Sequence, residues 1–124
     1  MYFVKKLKIN FVEVKNLVDA EKEIRKIGSD PNCIEIIAPK MLTKIIKVKN
    51  VILQDAIIIK QDMLSIGGEV AVPKNTFELH KNTGDILIIG TLKQLRELVK
   101  KLKRHYNRLC KIAEHIEIFI KVVK

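Results

Sequence analysis

Apolar residues recur along this chain with two periods, two in some stretches and three to four in others, and the exchange between them predicts alternating strands and helices. Over residues 4–14, Leu7, Ile9 and Phe11 occupy alternate positions, which predicts a strand with one buried face. Asn16 is placed to cap a helix with the stripe Leu17, Ala20, Ile24 and Ile27. Asp19, Glu21 and Glu23 favour its first half, and Gly28 ends it. Ser29-Asp30-Pro31-Asn32 reads as a turn, followed by short strands over 34–38 and 43–48 with Pro39-Lys40 between them.

A second helix is predicted over 51–66. Ile52, Ala56, Ile59, Met63 and Ile66 form its stripe, Leu53, Ile57 and Leu64 widen it, and Gly67-Gly68 stops it. Strands over 70–72 and 76–79 flank Pro73, and 81–84 reads as a hairpin turn into the unbroken apolar run Ile86 to Ile89. Such a run predicts a strand covered on both faces. Gly90-Thr91 switches the chain into helix, with Thr91 and Gln94 spaced as a capping box. That helix is expected to reach at least Arg104, and Ala113 on its longest reading. The alternation of 116–122 suggests a terminal strand, with a helical stripe through Leu109, Ile112, Ile116 and Phe119 as the competing reading. The whole, 1–124, is expected to be a single α/β domain: a small two-layer sandwich with a mixed sheet and about three helices.

Composition narrows the class. With 124 residues, 48% of them hydrophobic, the chain can bury a core without disulfides or metal, and disorder is excluded. Charge interrupts every apolar run, so no membrane span is expected. The two cysteines, Cys33 and Cys110, have no metal-ligand spacing and are read as reduced, buried thiols. Met1-Tyr2-Phe3-Val4-Lys5-Lys6 forms no signal-peptide core, and together these predict a cytoplasmic protein. Lys and Ile, 20 copies each, fit a thermophile, although AT-rich coding bias leaves the same signature.

The formal charge of +10 changes the picture because it is concentrated. Between Lys93 and Lys111 eight cations meet one acid, Glu97. At 100° per residue they gather opposite Leu92, Leu95, Leu98, Val99, Leu102 and Tyr106. Lys93, Arg96, Lys100, Lys103, Arg104 and Arg108 are therefore the candidate polyanion-binding residues, with a solvated lysine-rich face as the plain alternative. Lys60 stands out singly, in the middle of the apolar arc of its helix. Either it reaches Glu69, Asp55 or a backbone carbonyl, or it serves an anion. Gly67-Gly68-Glu69 and the strand–Gly90–Thr91–helix junction are candidate ligand loops, though helix capping accounts for much of each. His80, His105 and His115 lack ligand spacing, so no metal or cofactor is expected. Asp55 and Asp62 read as surface carboxylates. No acid, base and nucleophile converge, and no catalytic residue is assigned.

Residues 56–102 carry one further signal. Lys60, Gln61, Asp62, Met63, Leu64, Ser65, Gly67, Gly68 and Ala71, then Gly90, Thr91, Lys93, Gln94 and Leu95, match a two-part motif. This stretch resembles the accessory segment that precedes the barrel in some dihydropteroate synthases. No catalytic barrel follows, and the barrel's pterin and pyrophosphate motif is missing, so no catalytic residue is carried over. The resemblance implies a stand-alone, non-catalytic relative linked to pterin biosynthesis in a methanopterin-making archaeon. Its partner would be a pterin-pathway enzyme or a small anionic ligand, its assembly a homo-oligomer, and its candidate site Lys60, Gln61, Gly67, Gly68, Glu69, Gly90 and Thr91. The alternative is an RNA- or DNA-binding module that uses the basic helix.

Overall fold

The computed structural model describes residues 7–74 and 82–123. Helix α1 (Leu17–Ile27) forms as its ends predict. The Asn16 side chain accepts the Asp19 N–H at 2.8 Å, and Gly28 closes the helix in the left-handed region. Its neighbour corrects the sequence reading. Asp30 caps Asn32 N–H at 2.9 Å and Pro31 takes the first helical position, so 31–37 form helix α2 (Pro31–Ile37) instead of a turn and a strand. Ile34 and Ala38, four apart, then face Ala20 and Ile24 in a small satellite cluster. A 3-10 turn (Ala38–Lys40) leads into the sheet.

The described sheet has three strands: β1 (Thr43–Ile52), β2 (Glu69–Ala71) and β3 (Thr83–Thr91), in the order β1-β3-β2. Both pairings are antiparallel, so the expected mixed sheet is corrected. Ile46 pairs with Ile88 and Val48 with Ile86. The register then shifts between Val48 and Val51, where Asn50 adopts a φ of 57°. Although β3 is central, it is covered on one face only. Ile86, Ile88 and Gly90 are buried, whereas Leu87 and, across the ladder, Ile45 face outward.

Helices α3 (Leu53–Ser65), α4 (Leu92–Leu102) and α5 (Asn107–Lys121) supply the main core with the sheet's inner face. That makes five α-helices among the described residues, against the three expected, and the α/β class holds. The helix predicted to pass Arg104 ends at Leu102. The stretch predicted as a terminal strand is the second half of α5. Leu109, Ala113, Ile116 and Ile120 recur at helical spacing and are buried. A strand would have set exposed Ile118 beside Ile116 and Ile120 in the core.

The strand predicted over 4–14 is also corrected. Residues 7–14 form no strand, because no described strand runs beside them to complete the ladder. The strand predicted over 76–79 lies outside the described residues, as does most of the 81–84 turn, and Thr83 and Gly84 already belong to β3. Among the described residues no helix is long and apolar enough to cross a membrane.

One joint holds the layers in register. Fully buried Met63 lies against both Gly68 and Gly90. A Cβ on Gly68 would stand 2.9 Å from Met63 Cγ and 3.0 Å from the Ile89 carbonyl oxygen. The carbonyl belongs to the central strand and has little freedom to move. Gly68→Ala is therefore expected to cost about 1–3 kcal/mol of stability, read as a lower urea midpoint with an unchanged m-value.

Candidate functional site

The residues nominated around Lys60 come together, but they bind one another. Helix α3 stops where Gly67 adopts a φ of 90° and Gly68 N–H reaches the Met63 carbonyl at 3.0 Å. From the half-buried flank of α3, the Lys60 ammonium donates to Glu69 Oε1 at 3.0 Å and to the Val70 carbonyl at 2.8 Å. Val70 N–H donates to the same Glu69 oxygen at 2.8 Å. This bond first, and the Lys60 ammonium second, hold the Glu69 carboxyl below its usual range. Gln61 points to solvent apart from this set. Thr91 and Gln94 complete their capping box: Thr91 Oγ1 accepts Gln94 N–H at 3.2 Å, and Gln94 Oε1 accepts Thr91 N–H at 2.9 Å. Gln94 Nε2 reaches on to the Ile66 carbonyl at 3.3 Å. Thus the two halves of the motif at 60–71 and 90–95 meet at one interlocked corner.

The basic stretch is divided by the fold. α4 turns Leu92, Leu95, Leu98, Val99 and Leu102 inward and its cations outward, as the periodicity predicts. Three of the six nominated cations are matched by acids: Lys93 by Glu97 at 2.6 Å, Lys103 by Glu117 at 3.0 Å, and Arg108 by Asp55 at 2.8 Å. Arg96, Lys100 and Arg104 are exposed and form no ion pair among the described residues. Arg96 and Lys100 join Lys103 and Lys121 around an open cleft of about 410 Å³ between α4 and α5, floored by Val99, Ile120 and Val123. Glu117 is the one acid in its wall. Lys103's hydrogen bond and, more weakly, Lys121 keep it ionised to lower pH than an ordinary glutamate. Four cations against one carboxylate leave the cleft strongly positive. No family model matches the chain, and neither does a curated protein or a solved structure.

The sequence pattern does not single out Lys121, because the alternation over 116–122 suggests a strand. Only a helix sets it one turn from Glu117 and against α4.

The reading of Asp55 and Asp62 as plain surface carboxylates is corrected. Asp55 is 2% exposed. It accepts the Tyr106 hydroxyl on Oδ1, and Arg108 grips both oxygens, Nε to Oδ2 at 2.8 Å and Nη2 to Oδ1 at 3.0 Å. The Arg108 guanidinium also lies 4.8 Å from the centre of the Tyr106 ring. Beside them His105 Nε2 is 2.9 Å from Asp62 Oδ2. The i, i+7 spacing of Asp55 and Asp62 was a legible signal that both share one helix face. Their partners, 43 to 53 residues away, are not legible in the sequence. Both Asp55 oxygens are engaged by residues of the α4–α5 turn, so the cluster clamps that turn onto α3. Cys33 and Cys110 are unpaired and half-buried rather than buried, and Cys110 Sγ points at the His105 and Lys103 carbonyls, 3.3 and 3.4 Å away.

Burial pushes the Asp55 carboxyl up, but the hydrogen bonds from Arg108 and Tyr106 and the charge of Arg108 outweigh it. The net shift is below the ordinary aspartate value of 3.8. The clamp's stabilisation is therefore complete above that value and is lost as pH falls through the lower native one. In Arg108→Gln the balance tips back towards burial, so the acid-unfolding midpoint should move to higher pH, followed by circular dichroism. Asp55→Ala should lose about 2–3 kcal/mol at neutral pH, measured by urea unfolding.

Proposed function

We propose that this protein binds the phosphate backbone of nucleic acid along the α4–α5 cleft. The observation that carries this reading is the surplus of cations around an open cleft. Lys60 and Glu69, by contrast, bond to each other, and Thr91 and Gln94 close their own capping box. Arg96 and Lys100 lie one helical turn apart, about 6 Å along α4, and Lys103 and Arg104 continue the row. An open row of point charges and forked guanidinium groups suits a chain of phosphates. Aromatic residues make up only 5% of the sequence, and Tyr106 is tied to Asp55 and Arg108. The binding should therefore be electrostatic and tolerant of sequence, without base stacking. An accessory role in pterin biosynthesis, with Lys60, Gln61, Gly67, Gly68, Glu69, Gly90 and Thr91 as its site, rests on the resemblance over 56–102. It has less support, because most of those residues serve the corner they form.

Fluorescence anisotropy with labelled duplex DNA and single-stranded RNA tests the proposal. With about four phosphate contacts, affinity should fall roughly 50- to 150-fold between 50 and 200 mM salt. Arg96→Glu with Lys100→Glu should abolish binding at the higher salt, while Lys93→Gln and Lys60→Gln leave it within about twofold of wild type. Absence of binding at 50 mM salt, or an affinity indifferent to salt, would refute it.

A further inference from the structure

Residues 7–14 carry large apolar side chains on a strand's alternate positions, yet those side chains lie in water. Leu7 is 65% exposed, Ile9 85% and Phe11 106%. Val14 is the first side chain of this arm to pack against the body, where it touches both apolar clusters. A run of exposed apolar residues this long marks an interaction surface. Elsewhere, β1 is an outer strand, and its far edge is unpaired among the described residues. Two grooves follow that edge. One, of about 320 Å³, is lined by the consecutive residues 44–47 with Phe119 and Ile120 of α5. The other, of about 190 Å³, is lined by the consecutive residues 46–49 with Ile112, Ile116 and Phe119. Successive strand side chains point to opposite faces. Consecutive residues share a groove only where it runs along the strand's edge, so these grooves expose the backbone of β1 beside an apolar wall.

We propose that residues 7–14 of a second copy of this chain add as a strand to the outer edge of β1, and that two copies exchange these arms reciprocally. Leu7, Ile9 and Phe11, on one side of the added strand, then cover Ile112, Ile116 and Phe119. The lengths agree, because six residues of β1 line the grooves and the arm offers eight. Charge selects the arm over a second β1 edge. Joining two β1 edges would bring Lys44, Lys47 and Lys49 of each chain together, whereas the arm, with Lys8 and Glu13, is neutral over 7–14. The area suffices too: each arm exposes on the order of 500 Å² of apolar side chain. Two arms with the grooves they cover exceed the roughly 1,200 Å² that stable interfaces need. Each arm meets a groove, and a two-fold axis relates the two contacts.

Size-exclusion chromatography with light scattering on the full chain, free of nucleic acid, tests this. Wild type should be a dimer at micromolar concentration. Ile9→Asp with Phe11→Asp in the arm should give a folded monomer, and so should Phe119→Glu in the groove, each checked by its circular dichroism spectrum. Mixing the two variants should restore a weaker heterodimer, because one intact arm then meets one intact groove. A monomeric wild type overturns the proposal, whether its arm closes on its own groove or stays free. A dimer that survives both variants, or folded variants that do not reassociate on mixing, overturns it as well. Salt-dependent nucleic-acid binding is scored separately and stands or falls on its own.

Discussion

A carboxylate placed almost fully out of water must be matched, and the need to match Asp55 organises the second half of this protein. Asp55 sits in the first turn of α3 with 2% of its surface exposed. Tyr106 and Arg108 supply its donors, so the chain between α4 and α5 has to turn where those side chains can reach α3. This accounts for a helix break at a place with neither glycine nor proline: Tyr106 takes an extended conformation, and α5 starts one residue later. Through that break α5 folds back along α4 and faces β1. Both the cationic cleft and the open grooves beside β1 exist because α5 lies there.

Packing exerts the second control. Met63, Gly68 and Gly90 form a contact in which side-chain volume on one element requires its absence on the two others. The Thr91–Gln94 capping box and the Gln94–Ile66 bond close the same corner. The paired motif at 60–71 and 90–95 thus has a structural reason for its spacing. It records how a helix end, a strand and a helix start fit together. Lys60, conspicuous on its helical wheel, fits the plainest of its readings, an ammonium that leaves the apolar arc to reach Glu69 and a backbone carbonyl.

The fold also redistributes charge that looked continuous in one dimension. Glu97, Glu117 and Asp55 each draw a cation from the 93–111 stretch, and two of those acids come from other elements. Of the six nominated cations, Arg96, Lys100 and Arg104 remain exposed without an ion pair among the described residues, and Lys121 faces Arg96 and Lys100 across the cleft. The exposed pairs, Lys93–Glu97 and Lys103–Glu117, contribute little to stability. Their consequence here is spatial, since they decide where positive potential survives.

Neighbours within about four residues encode the caps at Asn16 and Thr91, the stop at Gly28, most of the buried stripes of α1, α3 and α4, and the α/β class, although Ile27, Ile52 and Leu64, expected in those stripes, are exposed. Those features arise from local hydrogen bonds and helical period, and both are written in adjacent residues. Tertiary structure decided the rest. Residues 34–38 and 116–122 carry β-branched residues in patterns that a strand tolerates. Each became helix because its buried positions, such as Ile34 with Ala38 or Ile116 with Ile120, meet apolar neighbours distant in sequence. The alternation over 7–14 is a real strand pattern, but a strand is completed only by a second strand, and that partner is not adjacent in the chain. The buried Asp55 and the Lys121 side of the cleft depend on contacts across long separations. No local period encodes such contacts, so only the folded chain reveals them.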